Sequence, residues 1–130
     1  MKFNFFSLDQ DFAINETIVF NDDYYKKYNI ATSAQISNQL YNKISPLAAT
    51  AVILGQLLDR FEIPVGLFHT GQNINAFNFI YPNIKLDLLF SISRSTIKHN
   101  TKFVTFDFQL MQDQQLLISG NTKVTAKLED

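Results

Sequence analysis

The chain has 130 residues, 46% hydrophobic and 18% charged, with a formal net charge of −1, so one domain over residues 1–130 is expected, large enough to bury a core without metal or disulfide staples. Cysteine is absent and His69 and His99 are the only imidazoles, which excludes disulfides, thiolate catalysis and Cys-ligated zinc and nearly excludes a multi-histidine metal centre. The lysines and arginines, 11 in all, are scattered among 12 acids, so no basic stripe is offered to nucleic acid.

The N-terminal run Met1-Lys2-Phe3-Asn4-Phe5-Phe6-Ser7 is aromatic but brief, and Asp9 and Asp11 follow at once. It lacks the apolar stretch and small-residue cleavage site of a signal peptide, so a cytoplasmic location is expected. Ala13 to Phe20 predicts a strand, with Ile14, Ile18 and Phe20 on one face of a period-two pattern. Asn21-Asp22-Asp23 ends it and can cap a short helix over Tyr24 to Tyr28, because Asx side chains accept from exposed backbone N–H groups. A second helix is expected from Ala34 to Ile44, capped by Thr32 or Ser33, with Ile36, Leu40 and Ile44 on one face.

Pro46 opens the most informative segment, since proline suits the first turn of a helix, where its missing N–H has no intrahelical partner anyway. From Leu47 to Leu58 the clearly polar side chains are Thr50 and Gln56 alone. This stretch is too short to span a membrane. A helix apolar almost all round is expected to be enclosed by other structure. Asp59-Arg60 and Glu62 return the chain to water, and Pro64 and Gly66 punctuate the exit.

Strands follow. Gln72 to Ile80 predicts one, stopped by Tyr81-Pro82. Ile84, Leu86, Leu88, Phe90 and Ile92 alternate with Lys85, Asp87, Ser91 and Ser93, the mark of a half-buried strand. Val104, Phe106, Phe108 and Leu110 give its partner, between turns at Lys98-His99-Asn100-Thr101 and Gln112-Asp113-Gln114. Leu116 to Leu128 closes the meander, with Gly120 expected as a bulge. The predicted fold class is α+β: a curved antiparallel sheet of about five strands wrapped around a central, largely apolar helix.

Pro46-Leu47-Ala48-Ala49-Thr50-Ala51-Val52-Ile53-Leu54 resembles the start of the central helix in the MaoC-like hydratase and dehydratase branch of the hotdog superfamily. Phe77-Asn78-Phe79-Ile80-Tyr81-Pro82 resembles the aromatic-x-x-Pro element that ends the superfamily's second strand, and Phe20 to Tyr28 is similar to the branch's strand-then-helix opening. The resemblance implies a homodimer with an acyl-CoA or acyl-carrier-protein ligand at the dimer boundary, and it implies no cofactor. The branch's catalytic signature, Gly-Asp-x-Asn-Pro-x-His, is not reproduced. The corresponding stretch, Asn29 to Asn38, holds neither Asp nor His, and the His common at the start of the family's central helix is Ala49 or Thr50 here. Hydratase or dehydratase chemistry would therefore lack its usual Asp/His dyad. Hotdog thioesterases similar to the phenylacetate-pathway enzymes carry His-Gly-Gly, six residues and an Asp; Asp59 fits the carboxylate, while Thr50-Ala51-Val52 replaces His-Gly-Gly.

Two readings stand beside each candidate. His69, at the start of a strand near the helix exit, is an ordinary strand-end imidazole or a base facing substrate; His99 lies in a turn. Asp59 is a solvated carboxylate at a helix end or a catalytic one. Thr50 bonds a backbone carbonyl one turn back or touches ligand. Gln56, a buried amide needing several partners, reaches across a dimer or to the polar end of a ligand. Ser33 and Asn38 occupy the segment that would be catalytic in the family, and capping explains the former. The expected function is binding or turnover of an acyl thioester, as a hydro-lyase ahead of a thioesterase, with a non-catalytic acyl-binding or assembly subunit as the alternative.

Overall fold

A computed structural model describes residues 2–21 and 43–128. The expected helices over 24–28 and 34–44 lie outside these residues, apart from Lys43 and Ile44. Along the chain run β1 (Phe3–Asn4), a 3-10 turn (Phe5–Ser7), β2 (Ala13–Val19), helix α1 (Pro46–Leu58), β3 (Phe61–Glu62), β4 (Phe68–Ala76), β5 (Lys85–Lys98), β6 (Thr101–Gln112) and β7 (Gln115–Lys127).

Five strands form one antiparallel sheet in the order β2-β5-β6-β7-β4. Two tight turns fix its centre. His99 and Asn100 have φ of 52° and 59°, and Asp113 and Gln114 have φ of 49° and 70°. Paired left-handed residues make the turn whose twist matches that of the flanking strands. Between these turns, period-two alternation sets the buried face: Leu86, Leu88, Phe90 and Ile92 of β5 stand beside Phe106, Phe108 and Leu110 of β6 and Ile118, Val124 and Ala126 of β7. Against this inner face α1 lays Ala49, Ile53 and Leu57, all within one core. Ser45 caps the helix, its Oγ accepting from Ala48 N–H at 3.0 Å, and Pro46 fills the first helical position.

Several expectations shift. Leu47 and Leu58 are 63% and 38% exposed, and Ala51 and Gly55 between them are also exposed. Among the described residues the helix thus has one covered side and one exposed side, although its composition is apolar on both. Ile44 does not end a helix; it forms an antiparallel bridge with Ile80. Strand β4 starts and stops four residues earlier than the expected Gln72 to Ile80. Both Phe77 and Asn78 turn their N–H groups to the same carbonyl, that of Leu117, at 2.9 and 3.2 Å, which takes them out of the ladder. Phe77 and Phe79 consequently stand exposed rather than in the core, with Lys43 Nζ 3.8 Å from the Phe79 ring centre. Gly120 is not a bulge. It is a close approach, because a Cβ there would lie 2.3 Å from Asn73 O and 2.7 Å from Phe108 Cζ.

The N-terminal segment adds a second, parallel pair, Phe3↔Phe61 and Asn4↔Glu62, between β1 and β3. It is pinned by Lys102 of β6, a 3% exposed lysine whose Nζ donates to Phe6 O at 2.8 Å and Leu8 O at 2.5 Å, while Ser95 Oγ donates to Leu8 O at 2.8 Å. Burial penalises the ammonium and holds its pKa below the ordinary lysine range, with Asp9 pulling the other way.

Candidate functional site

Pairing across β4, β7 and β6 decides which residues share the inner face near the end of α1. His69, the second residue of β4, stands opposite Val124, and Thr122 stands opposite Phe106. Since Val124 and Thr122 are two apart on β7, all four side chains rise from the same face of the sheet. Leu54, Leu57 and Leu58 of α1 close over them, and Leu67 enters from the loop before β4. Together these residues line a cleft of about 210 Å³.

His69 faces this cleft through a local irregularity. Pairing passes from His69↔Val124 directly to Gly71↔Lys123, which leaves Thr70 as an extra residue. Such a bulge bends a strand and re-aims the side chains beside it. Thr70 Oγ1 is spent on Lys123 O at 3.3 Å, so it braces the bulge. The cleft walls are otherwise aliphatic or aromatic, and Thr122, 4% exposed, is the second polar side chain. An apolar group entering here loses its water against Leu and Phe, while an imidazole at the mouth can donate or accept one hydrogen bond.

The cleft belongs to the C-terminal half of α1. Its nearest helical residue to the N-terminus is Leu54, so the free amides of the first turn lie about 12 Å away along the axis. Within one chain, therefore, the helix N-terminus and His69 do not face the same ligand atom.

The other expected site residues are placed as follows. Asp59 is the exposed C-cap residue of α1, its backbone N–H bonded to Gly55 O at 3.1 Å, and it does not line the cleft. Thr50 is 1% exposed and donates its hydroxyl to Pro46 O at 2.7 Å, one turn back. Gln56, expected to reach a ligand or a second copy, donates Nε2 to the carboxylate of Glu16 on β2. Glu16 also pairs with Arg60, so its carboxylate ties β2 to the end of the helix, about forty residues on. Around them an open polar groove of about 440 Å³ runs along Asn15, Thr17 and Asp87. Ser33 and Asn38 lie outside the described residues. His99 sits in the β5–β6 turn, exposed.

Sequence reasoning missed Glu16, Thr122 and the floor formed by Phe106. Glu16 occupies an inner-face position of β2 between Ile14 and Ile18, where alternation called for an apolar residue. Thr122 was recoverable from the same alternation, two residues before Val124. Phe106 enters the sequence pattern only as one apolar position of a strand, and its place in the cleft becomes visible only when β4, β7 and α1 are seen together. Among the described residues no group of three or more His, Asp or Glu side chains could hold a metal ion, and no helix is long and apolar enough to cross a membrane.

No family model matches the chain, and no curated protein matches it in sequence. Solved structures do match its fold. A monoamine oxidase regulatory protein from Archaeoglobus superposes with a TM-score of 0.77 at 8% identity, covering 100% of this chain and 99% of that one. A MaoC-like dehydratase from Rhodospirillum rubrum gives 0.71 at 12% identity over 92% of each chain. An (R)-hydratase from A. caviae involved in PHA biosynthesis gives 0.67 at 16% identity, covering 95% of this chain and 98% of that one. At such identities the shared property is the fold.

Proposed function

We propose that this hotdog-fold chain binds an acyl thioester, carried on CoA or acyl carrier protein, with the acyl group in the His69 cleft. We further propose that it acts as a hydratase or dehydratase without the MaoC-like Asp/His dyad. The reading is carried by one observation: His69 stands at the mouth of an apolar cleft between the central helix and the sheet. The fold shared with a MaoC-like dehydratase and an (R)-hydratase supports it. In hydration, the neutral imidazole takes a proton from water as the water oxygen bonds to Cβ of the enoyl thioester. The resulting imidazolium returns that proton to Cα, so the atoms balance with one side chain acting as base and then acid. Asp59, next in sequence to the cleft residue Leu58, is the carboxylate to test beside it. Thr50 and Gln56, the polar side chains of the apolar helix, and Ser33 and Asn38, in the segment that corresponds to the family's catalytic one, remain proposed ligand contacts.

The assay is hydration of crotonyl-CoA and hydrolysis of a panel of acyl-CoAs by wild-type, His69→Ala and Asp59→Asn proteins. Loss of hydration by about 10²–10⁴-fold in His69→Ala, with binding retained, is the expected result. Turnover unchanged in that variant sinks the role of His69. The second reading, a non-catalytic acyl-binding or assembly subunit, is favoured by the absence of Asp and His from Asn29 to Asn38. Acyl-CoA binding by native mass spectrometry without any turnover would establish it, and no binding at all would overturn both.

The same reading includes a homodimer. Leu47, Ala51 and Leu58 on the outer side of α1, with Val65 and Phe68 beyond, expose apolar surface that a second copy would cover. A monomeric mass by light scattering at micromolar concentration would remove this part.

A further inference from the structure

The cleft has a graded depth. At its mouth Leu58 is 38% exposed, His69 is exposed, and Leu54 and Leu67 are half-buried. At its inner end Leu57, Phe106, Thr122 and Val124 are all buried. A ligand chain entering past His69 thus runs inward toward Phe106.

Phe106 has little room to retreat. Its ring lies 5.3 Å from that of Phe61 and 6.3 Å from that of Phe12, centre to centre. Phe12 and Phe61 contact each other at 5.7 Å, and Phe3 meets Phe12 edge-on at 5.3 Å. The segment carrying Phe3 and Phe12 is held down in turn, by Phe3 N–H to Arg60 O at 2.7 Å and by the Lys102 and Ser95 bonds to Phe6 and Leu8 carbonyls. Close-packed aromatic walls of this kind yield only at the cost of strain in every neighbour.

Volume then limits the ligand. A dry cavity of about 150 Å³ holds benzene, and pockets for drug-sized ligands run from about 300 Å³ upward. The cleft, at about 210 Å³, falls between them. Scaling from benzene's six carbons gives room for about eight.

We infer that the His69 cleft takes a short, unbranched apolar chain of about six to eight carbons, and that Phe106 sets this limit from the inner end. This deepens, and rests on, the reading of the cleft as the acyl site. Up to the limit each added methylene is buried and raises affinity about fourfold. Beyond it the tail must stay in water or displace Phe106, and the gain stops.

The test is titration calorimetry of the full chain with straight-chain acyl-CoAs from butyryl to dodecanoyl, and with 1-alkanols of the same lengths. Affinity is expected to climb about fourfold per methylene to a maximum near six to eight carbons, then level or fall. Phe106→Leu is expected to move that maximum about one carbon longer. Leu54→Phe, on the half-exposed side where folding is not at stake, is expected to move it shorter. Affinity climbing steadily through dodecanoyl, or a maximum that neither variant moves, overturns the inference. Alkanols showing the maximum while no acyl-CoA binds would retain the length limit and remove the thioester reading. Acyl-CoAs binding without a maximum would do the reverse, and neither series binding would remove both.

Discussion

Strands β6 and β4 stand two apart in the same sheet and have opposite characters. β6 lies between β5 and β7, and Lys102, Val104, Thr105, Phe106, Phe108 and Leu110 are all buried along it. β4 is the sheet's edge, with every residue exposed except the half-buried Gly71 and Ile74. The candidate site takes one wall from each. Phe106 supplies a floor anchored in the most packed strand, and His69 is presented by the least packed one, next to a bulge. Elements with few buried contacts open locally at low free energy, so in the proposed reading the imidazole lies where a ligand would be admitted and the floor where it would be stopped.

Gly120 joins the two regions and gives the largest expected effect. Its α-carbon lies where Asn73 O of β4 and the Phe108 ring of β6 converge, and a backbone oxygen 2.3 Å from a new Cβ cannot rotate away. Gly120→Ala is expected to cost about 1–3 kcal/mol in urea unfolding, through forced displacement of a packed strand. Hydrogen exchange sharpens the contrast: β4 amides should lose protection while those of β5 and β6 keep theirs. Loss spread evenly over the sheet would show that the edge strand is as firmly integrated as the centre.

Lys102 tests whether the centre tolerates its one buried cation. Burial holds its pKa below the ordinary value, so between its folded pKa and the unfolded value of about 10.4 the unfolded chain binds more protons than the native one. Stability from this group therefore rises as pH rises through that window and is flat above it. Unfolding free energies of wild type minus those of Lys102→Met, measured from neutral to alkaline pH, should show that upward slope. A downward slope would mean that the carbonyls of Phe6 and Leu8, with Asp9, stabilise the ammonium by more than burial costs it.

The contrast between the strands also marks what could be read from the residues alone. Strands β5 to β7 and their turns were legible because Leu86, Leu88, Phe90, Phe106 and Phe108 repeat with period two, and residues such as Asn100 and Asp113 adopt positive φ readily. Pro46 marked the start of α1, because proline suits the first helical turn; the Ser45 cap before it came only from the structure. His69 was correctly placed at a strand start. The cleft it faces was not legible, since that depends on the pairing of β4 with β7 and on which half of α1 lies above. Glu16 and Lys102 were missed because their partners come from far along the chain: Gln56 and Arg60 for one, Phe6 and Leu8 for the other. The extra residue Thr70 is a property of two strands together and has no signature in one.

Phe68 gives the smallest expected effect and the most direct way to break the contrast. It opens β4, pairs with Thr125, and is 67% exposed in the single chain. If β4 is an open edge in solution, Phe68→Ser removes almost no burial and should alter stability by no more than about 0.5 kcal/mol at any protein concentration. A second copy laid against α1 and β4 predicts something else. The ring would then be covered in the dimer alone, and by mass action its loss would lower unfolding stability at high protein concentration but not at low. Measuring wild type and variant by urea unfolding across a hundredfold range of concentration separates the two. A concentration-dependent difference would make β4 a buried central strand of a larger assembly. His69 and its bulge would then lie close to a subunit boundary, and the apparent looseness of the strand would belong to the isolated chain only.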